Sequence, residues 1–366
     1  MARCRLFHQV DMKQPRPETP AALIIAGGRG TRFWPEARTH RPKPLFAHDG
    51  KSSLLADTIT RVQPAIPAER TFVLVAAEHA AVFRRAVKNL IPSRNLIIEP
   101  EGRGTTVAIA YGLAIIARRL GAETTVAVMP ADHYIPQAKE FRATIAEAAA
   151  LAARPGAVVV VGITPTRPET GFGYQAIGQP VGTGFRVKRF VEKPDAPTAR
   201  RMVRSGKFLW NGGIFVMKSS TLVAELQAQA PALAAAMARF PTMKPAELRA
   251  AYGSFALDSF DRVVAEKSRN LLGVRARFGW NDVGSWEGLW EALRGDTHSV
   301  TTGKVVTIDS TGVMARGGQR LMVLLGVDDV VAIDTDDAIL IVHRSRSQDV
   351  GRALDELRRL GLEGYL

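Results

Sequence analysis

The chain has 366 residues, 46% hydrophobic and 23% charged, the balance of a globular protein with room for one large α/β domain and a smaller one. Lys and Arg outnumber Asp and Glu by 49 to 35, a net charge of +14 that favours anionic partners. No arginine-rich block or aromatic-studded strand points to nucleic acid, no apolar run approaches the ~20 residues of a membrane helix, and the one cysteine, Cys4, excludes an internal disulfide or a cysteine metal cluster and suits a reducing cytoplasm.

Residues 1–20 read as a flexible, basic tail without the apolar stretch of a secretory signal, and Pro15, Pro17 and Pro20 discourage a helix there. Residues 21–26 form a short apolar run with the texture of a buried strand, followed by Gly27, Gly28 and Gly30, then Arg32 and Lys43. Glycines at such a turn let the backbone bend sharply and bring its N–H groups close to a ligand. A strand, a glycine-rich turn and then cations is a site for phosphates; the alternative is a turn whose glycines serve packing alone. The Walker spacing does not fit, and the dinucleotide fingerprint fails at Phe33, where its third glycine belongs.

Helical spacing follows at 51–64, a buried strand at 71–76, a helix at 78–89 and a short strand at 96–99. The polar loop EPEGRGTT then enters a helix at Thr105 and Thr106. A strand at 124–129 stops at PADHY, and a helix at 138–153 and a strand at 157–161 come next. This alternation predicts a Rossmann-like, mixed but mainly parallel sheet flanked by helices. Ligands bind such sheets outside the carboxyl ends of the strands, so the loops at 27–32, 99–106 and 130–133 are expected to converge on one crevice.

From 162 to 216 the texture changes to short β segments, GFGYQAIG, RVKRFVEKPD and WNGGIFVMKSS, read as an antiparallel insertion closing over the crevice. Helices follow at 219–239 and 245–252, then a strand at 270–276 and RFGWNDVGSWEGLWEAL, a loop running into a helix. Beyond 297 nearly everything is short strand, and VVTIDSTG (305–312) echoes VVAIDTDD (330–337). This is either a small β module docked on the catalytic domain or a second subunit, or two unrelated turns of similar composition. An amphipathic helix at 348–360 closes the chain, and the division is tail 1–20, catalytic domain 21–296 and β module 297–366.

Asp132 directly follows an apolar strand, and Asp282 sits in a loop ahead of a helix. Each is one carboxylate suited to an octahedral ion that keeps its waters and phosphate oxygens, yet an aspartate in such a place is most often a helix cap or turn residue. If the two meet, their charges repel, and removal of either should leave the free protein as stable or more so. His133 is expected as a hydrogen-bonding neighbour, because Mg²⁺ prefers oxygen. Glu192 and Lys193 occupy neighbouring strand positions pointing to opposite faces, with a surface salt bridge as the alternative reading.

GGRGTRFWP followed by PKP resembles the signature of the sugar nucleotidyltransferases, and the FWP ending that of the mannose-1-phosphate guanylyltransferases. The resemblance runs from about 21 to 360 through several motifs in order. It implies transfer of GMP from GTP to mannose 1-phosphate with Mg²⁺, in a cytoplasmic homodimer without nucleic-acid or membrane partners. UTP, dTTP or ATP with another hexose phosphate is the nearest rival, and a non-catalytic nucleotide-sugar sensor the second. Arg32, Lys43 and Lys193 are implied as catalytic cations, and Asp132 and Asp282 as the metal pair. The nucleotide would fall to Ala26, Gly27, Gly28, Gly30, Thr31, Arg103, Thr105 and Asp132, and the sugar to Gly173, Tyr174, Glu192 and Asn211. Residues after 297 imply a short β-helix-like extension. Gly104 stands where the family has Asn, and Gly212 where it has Ser.

Overall fold

The computed structural model describes residues 19–28, 30–296 and 298–366, so Cys4 and nearly all of the tail lie outside the described residues. In chain order β1 (Ala21–Ile25), α1 (Leu54–Val62), β2 (Thr71–Ala76), α2 (Ala80–Ala86), β3 (Leu96–Glu99), α3 (Thr105–Leu120), β4 (Thr125–Pro130), α4 (Ala138–Ala152) and β5 (Val158–Ile163) alternate. Within β1 to β4, each strand runs parallel to its neighbour. Their apolar runs are continuous because both faces are covered. Ala22 and Ile24 pack with Leu55 and Ile59 of α1 and Phe141 of α4. Ala21 and Leu23 pack on the other side with Ile109 and Leu113 of α3.

β6 (Tyr174–Val181), β7 (Gly184–Val191), α5 (Ala196–Ser205) and β8 (Phe208–Lys218) follow. They do not form an insertion over the crevice. With β9 (Leu271–Arg275) they complete one nine-stranded sheet of order β3-β2-β1-β4-β8-β5-β9-β7-β6. β8 is antiparallel and central because it is apolar on both faces: Trp210, Ile214 and Val216 enter one core, Phe215 and Met217 the other. The helix expected over 219–239 is two, α6 (Ser219–Gln229) and α7 (Pro231–Arg239). Pro231 lacks the N–H that would continue α6 and is well placed at the first position of α7. α8 (Pro245–Gly253), a π turn at Asp261–Ala265 and α9 (Trp286–Leu293) complete this part.

The C-terminal module holds β10 (Val300–Thr302), β11 (Val305–Ile308), β12 (Met314–Arg316), β13 (Met322–Leu325), β14 (Val330–Asp334), β15 (Ile339–His343) and α10 (Val350–Arg359). β10, β12 and β14 stack in parallel on one side and β11 and β13 on another, the winding of a short β-helix. The echoed segments therefore hold non-equivalent places, since β11 and β14 belong to different sheets.

The module seats on the segment that follows the glycine turn. Phe33, Trp34 and Phe46 share a core with Trp286, Met314, Val331, Ile333 and Val350. Buried Arg316 donates to Glu36 Oε1 at 2.6 Å and to the carbonyls of Ala47 and His48 at 2.9 and 2.8 Å. Arg38 donates to both carboxylate oxygens of Asp337 at 2.6 and 2.7 Å. Among the described residues no helix is long and apolar enough to cross a membrane.

Candidate active site

The apolar run of β1 ends at Ile25, and the chain leaves the carboxyl edge of the sheet through Gly27 and Gly28. Gly30 has φ +61°, and a Cβ there would fall 2.5 Å from Cβ of Lys43. Only glycine lets the turn lie against that lysine. Lys43 is buried, and its Nζ donates to Asp132 Oδ2 at 2.7 Å and to the Asp282 carbonyl at 3.0 Å. Three segments distant in sequence thus meet at one ammonium.

Neither aspartate caps a helix. α4 starts after Gln137, and Ser285 Oγ caps α9 by accepting from Gly288 N at 3.3 Å. Next to Asp282, the β-branched Val283 has φ +46°, held by its N–H donating to Asn281 Oδ1 at 2.7 Å. Such a conformation costs on the order of 1–3 kcal/mol and gathers at functional sites.

Burial works to raise the Asp132 carboxyl, but Lys43 and then His133 hold it below its ordinary value. Burial raises Asp282; the Lys43 charge opposes this and the Asp132 charge adds to it. Burial also drives the His133 imidazole down to about 4. Its Nδ1 accepts from Trp280 Nε1 at 3.1 Å, so it is a neutral hydrogen-bonding neighbour. The donor set fits Mg²⁺: two carboxylates on oxygen, with no hydrogen bond from another described side chain to the Asp282 carboxylate.

A cavity of about 340 Å³ opens beside this cluster, lined by Gly27, Gly28, Gly104, Thr105, Asp132 and Asp261, among others. The three strand-end loops therefore converge. Glu99 also lines the cavity; burial raises it to about 7, although Tyr252 Oη donates to it at 2.8 Å. Gly104 has φ +82°, and a Cβ would fall 2.5 Å from the Asp258 carbonyl, so the loop as built here requires glycine. Thr105 Oγ1 accepts from Phe260 N at 2.9 Å, while Arg103 donates to Glu101 Oε1 at 3.0 Å and does not line the cavity.

A second group gathers around Asp261. Asn211 Nδ2 donates to Asp261 Oδ1 at 2.5 Å and its Oδ1 accepts from Gly213 N at 2.9 Å. A Cβ on Gly173 would fall 2.7 Å from Glu192 Oε2 and 3.2 Å from Asn211 Cβ, so these three pack together. Burial raises Glu192 and the Asp261 charge adds to this, while Lys193 opposes. Glu192 and Lys193 are not alternating strand positions: β7 ends at Val191, Lys193 has φ +48°, and its Nζ reaches 3.4 Å from Glu192 Oε1. The bend past the strand ends the alternation.

Other sequence candidates do not line this cavity. Ala26 is buried, its N–H donating to the Leu74 carbonyl at 2.9 Å. The Tyr174 ring is fully buried and its hydroxyl donates to the Glu169 carbonyl at 2.8 Å, supporting a loop. Thr31 lines a smaller cavity with Arg38, His79 and Leu354. Exposed Arg32 donates to Gln348 Oε1 at 2.6 Å. Sequence reasoning assigned no role to Glu99, Asp261 or Gln348. Glu99 ends a strand on the ligand side, a usable signal; Asp261 belongs to no periodic pattern, and Gln348, read as the start of the closing helix, lies before α10 begins at Val350.

Residues 21–299 match the Nucleotidyl transferase family and residues 303–357 the MannoseP isomerase/GMP-like beta-helix domain. The chain is 36% identical to the xanthan biosynthesis protein XanB of Xanthomonas campestris pv. campestris, over 93% of this chain and 73% of that one. It is 33% identical to a mannose-1-phosphate guanylyltransferase of Salmonella montevideo, over 92% and 73%. A crystal structure described as mannose-1-phosphate geranyltransferase from Thermus thermophilus superposes with a TM-score of 0.86 at 34% identity, covering 93% of this chain and 99% of that one.

Proposed function

The chain belongs to the nucleotidyl transferase family, and we propose that it transfers GMP from GTP to mannose 1-phosphate with release of pyrophosphate. The choice of guanine and mannose is supported by relatives that bear that activity in their names. The observation that carries the chemistry is the buried Lys43 ammonium held by the Asp132 carboxylate and the Asp282 carbonyl, with Asp132 lining a cavity that Gly27, Gly28 and Gly104 also line.

A sugar 1-phosphate is already largely a dianion at neutral pH, so no general base is needed. One of its oxygens forms a bond to the α-phosphorus of GTP while the bridging α–β P–O bond breaks and pyrophosphate departs. The obstacle is repulsion between two anions, and the site answers with placement and charge. The backbone of Gly27, Gly28 and Gly30 cradles the triphosphate, and Lys43 and Arg32 neutralise it. Lys193 holds the sugar phosphate. Glu192 and Asn211 accept and donate to sugar hydroxyls, with Asp261 holding the Asn211 amide in orientation. Asp132 and Asp282 would hold Mg²⁺, which when bound supplies positive charge shared by the phosphates of both substrates. A homodimer is supported by an exposed apolar ladder on the β module, Val306 beside Val323 and Ile308 beside Leu325.

Mixing the protein with GTP, mannose 1-phosphate and Mg²⁺ should release pyrophosphate and form GDP-mannose, identified by mass. Absence of both products from folded protein would overturn the reading.

A further inference from the structure

Gln348 lies between β15 and α10, in the β-helix module, yet it joins two segments of the active site. Its Oε1 accepts from Arg32 Nη1 at 2.6 Å, and its Nε2 donates to Ser285 Oγ at 3.2 Å. Ser285 caps α9 three positions after Asp282. The preceding residue, Ser347, is buried, and its Oγ accepts from Glu287 N at 3.2 Å. Two adjacent side chains of the module therefore grip the first turn of α9, and one of them also holds the arginine of the glycine turn. An exposed arginine without such a partner samples many rotamers and presents its charge at the phosphates only part of the time. Arg38 and Arg316, the other cations linking module and turn, are committed to Asp337 and Glu36. Only Gln348 reaches Arg32 among the described hydrogen bonds.

We propose that Gln348 is a positioning residue that holds Arg32 at the phosphate end of the site and ties it to the loop bearing Asp282, so that the β-helix module takes part in nucleotidyl transfer. This rests on the reading of Arg32 as a cation that neutralises the triphosphate. A neutral amide suits the role: it accepts from the guanidinium without cancelling a charge the phosphates need.

The test is a double-mutant cycle on the full chain with GTP, mannose 1-phosphate and Mg²⁺, comparing wild type, Arg32→Ala, Gln348→Ala and the double variant, with Gln348→Met as a control that fills the space without the bonds. Gln348→Ala should lower kcat/KM for GTP about tenfold, the scale of one hydrogen bond to a charged group, and leave KM for mannose 1-phosphate nearly unchanged. Gln348→Met should match Gln348→Ala. In the Arg32→Ala background, Gln348→Ala should change the rate by less than about twofold, because the group it acts through is gone. Wild-type kinetics in Gln348→Met, or an undiminished Gln348→Ala effect without Arg32, would overturn the proposal by marking Gln348 as packing or cap support. If Arg32→Ala is impaired and Gln348→Ala is not, the proposal alone falls; if Arg32→Ala itself is unimpaired, the role of Arg32 falls and the proposal with it.

Discussion

Replacing each aspartate of the proposed metal pair by alanine should give the same kinetic defect but unequal effects on stability. From sequence, two adjacent carboxylates repel, so loss of either would be harmless to the fold. The structure distinguishes them, because the Lys43 ammonium bonds the Asp132 carboxylate but only the backbone carbonyl of Asp282. Asp132→Ala strands a buried ammonium with only the Asp282 carbonyl left to it. Breaking a fully buried pair costs ~3–5 kcal/mol. With the side chains of Lys43 and Asp132 10% and 21% exposed, the lower end applies, about 3 kcal/mol. For a chain of this size that lowers Tm by roughly 4 °C. Asp282→Ala removes a carboxyl that burial already disfavours as an ion, and stability should stay within about 1 kcal/mol of wild type. Both variants should lose about 10²-fold in kcat and need more Mg²⁺ for half-maximal rate. The assay is thermal melting in chelator beside Mg²⁺-titrated pyrophosphate release. Equal destabilisation by both, with unchanged Mg²⁺ dependence, would refute the pairing and the metal site together.

Lys43→Ala should lower kcat/KM by about 10²-fold or more in steady-state kinetics, the scale for losing one preorganised electrostatic stabiliser. Glu192→Ala should raise KM for mannose 1-phosphate far more than KM for GTP, because buried sugar hydroxyls lose an acceptor; equal effects on both would remove Glu192 from the sugar. The fold raises Glu99 from 4.5 to about 7, so its contribution to stability is complete below 4.5 and disappears as pH rises through 7. Chemical denaturation from pH 4.5 to 7.5 should show up to roughly 3 kcal/mol of this loss in wild type and not in Glu99→Gln, and coincident curves would contradict it.

Much of the fold could be read from local pattern. β2 and β3 have the bounds their apolar runs suggest, and the glycine turn after β1 lies at the carboxyl edge of the sheet as the βα alternation requires. What local pattern could not convey was order within the sheet. The segment WNGGIFVMKSS was legible as β, but only the cores on either side explain why β8 stands between β4 and β5. The same limit applies to the site. Lys43, Asp132 and Asp282 each lie in a motif, so their candidacy was visible, while the meeting of the Lys43 ammonium with the Asp132 carboxylate and the Asp282 carbonyl depends on three loops converging. Asp261 is brought in by a π turn and Gln348 by the docking of another module, and neither contact leaves a spacing in the sequence. Glu192 and Lys193 were misplaced on opposite faces because the strand ends at Val191 and the chain bends before both.

The most direct measurement is kcat/KM for pyrophosphate release across a matrix of GTP, UTP, dTTP and ATP against mannose 1-phosphate and glucose 1-phosphate, with Mg²⁺ present. We predict that GTP with mannose 1-phosphate exceeds every other pair, and that omitting the sugar phosphate abolishes release. A higher value for any other pair, or no release from any, would contradict the assignment.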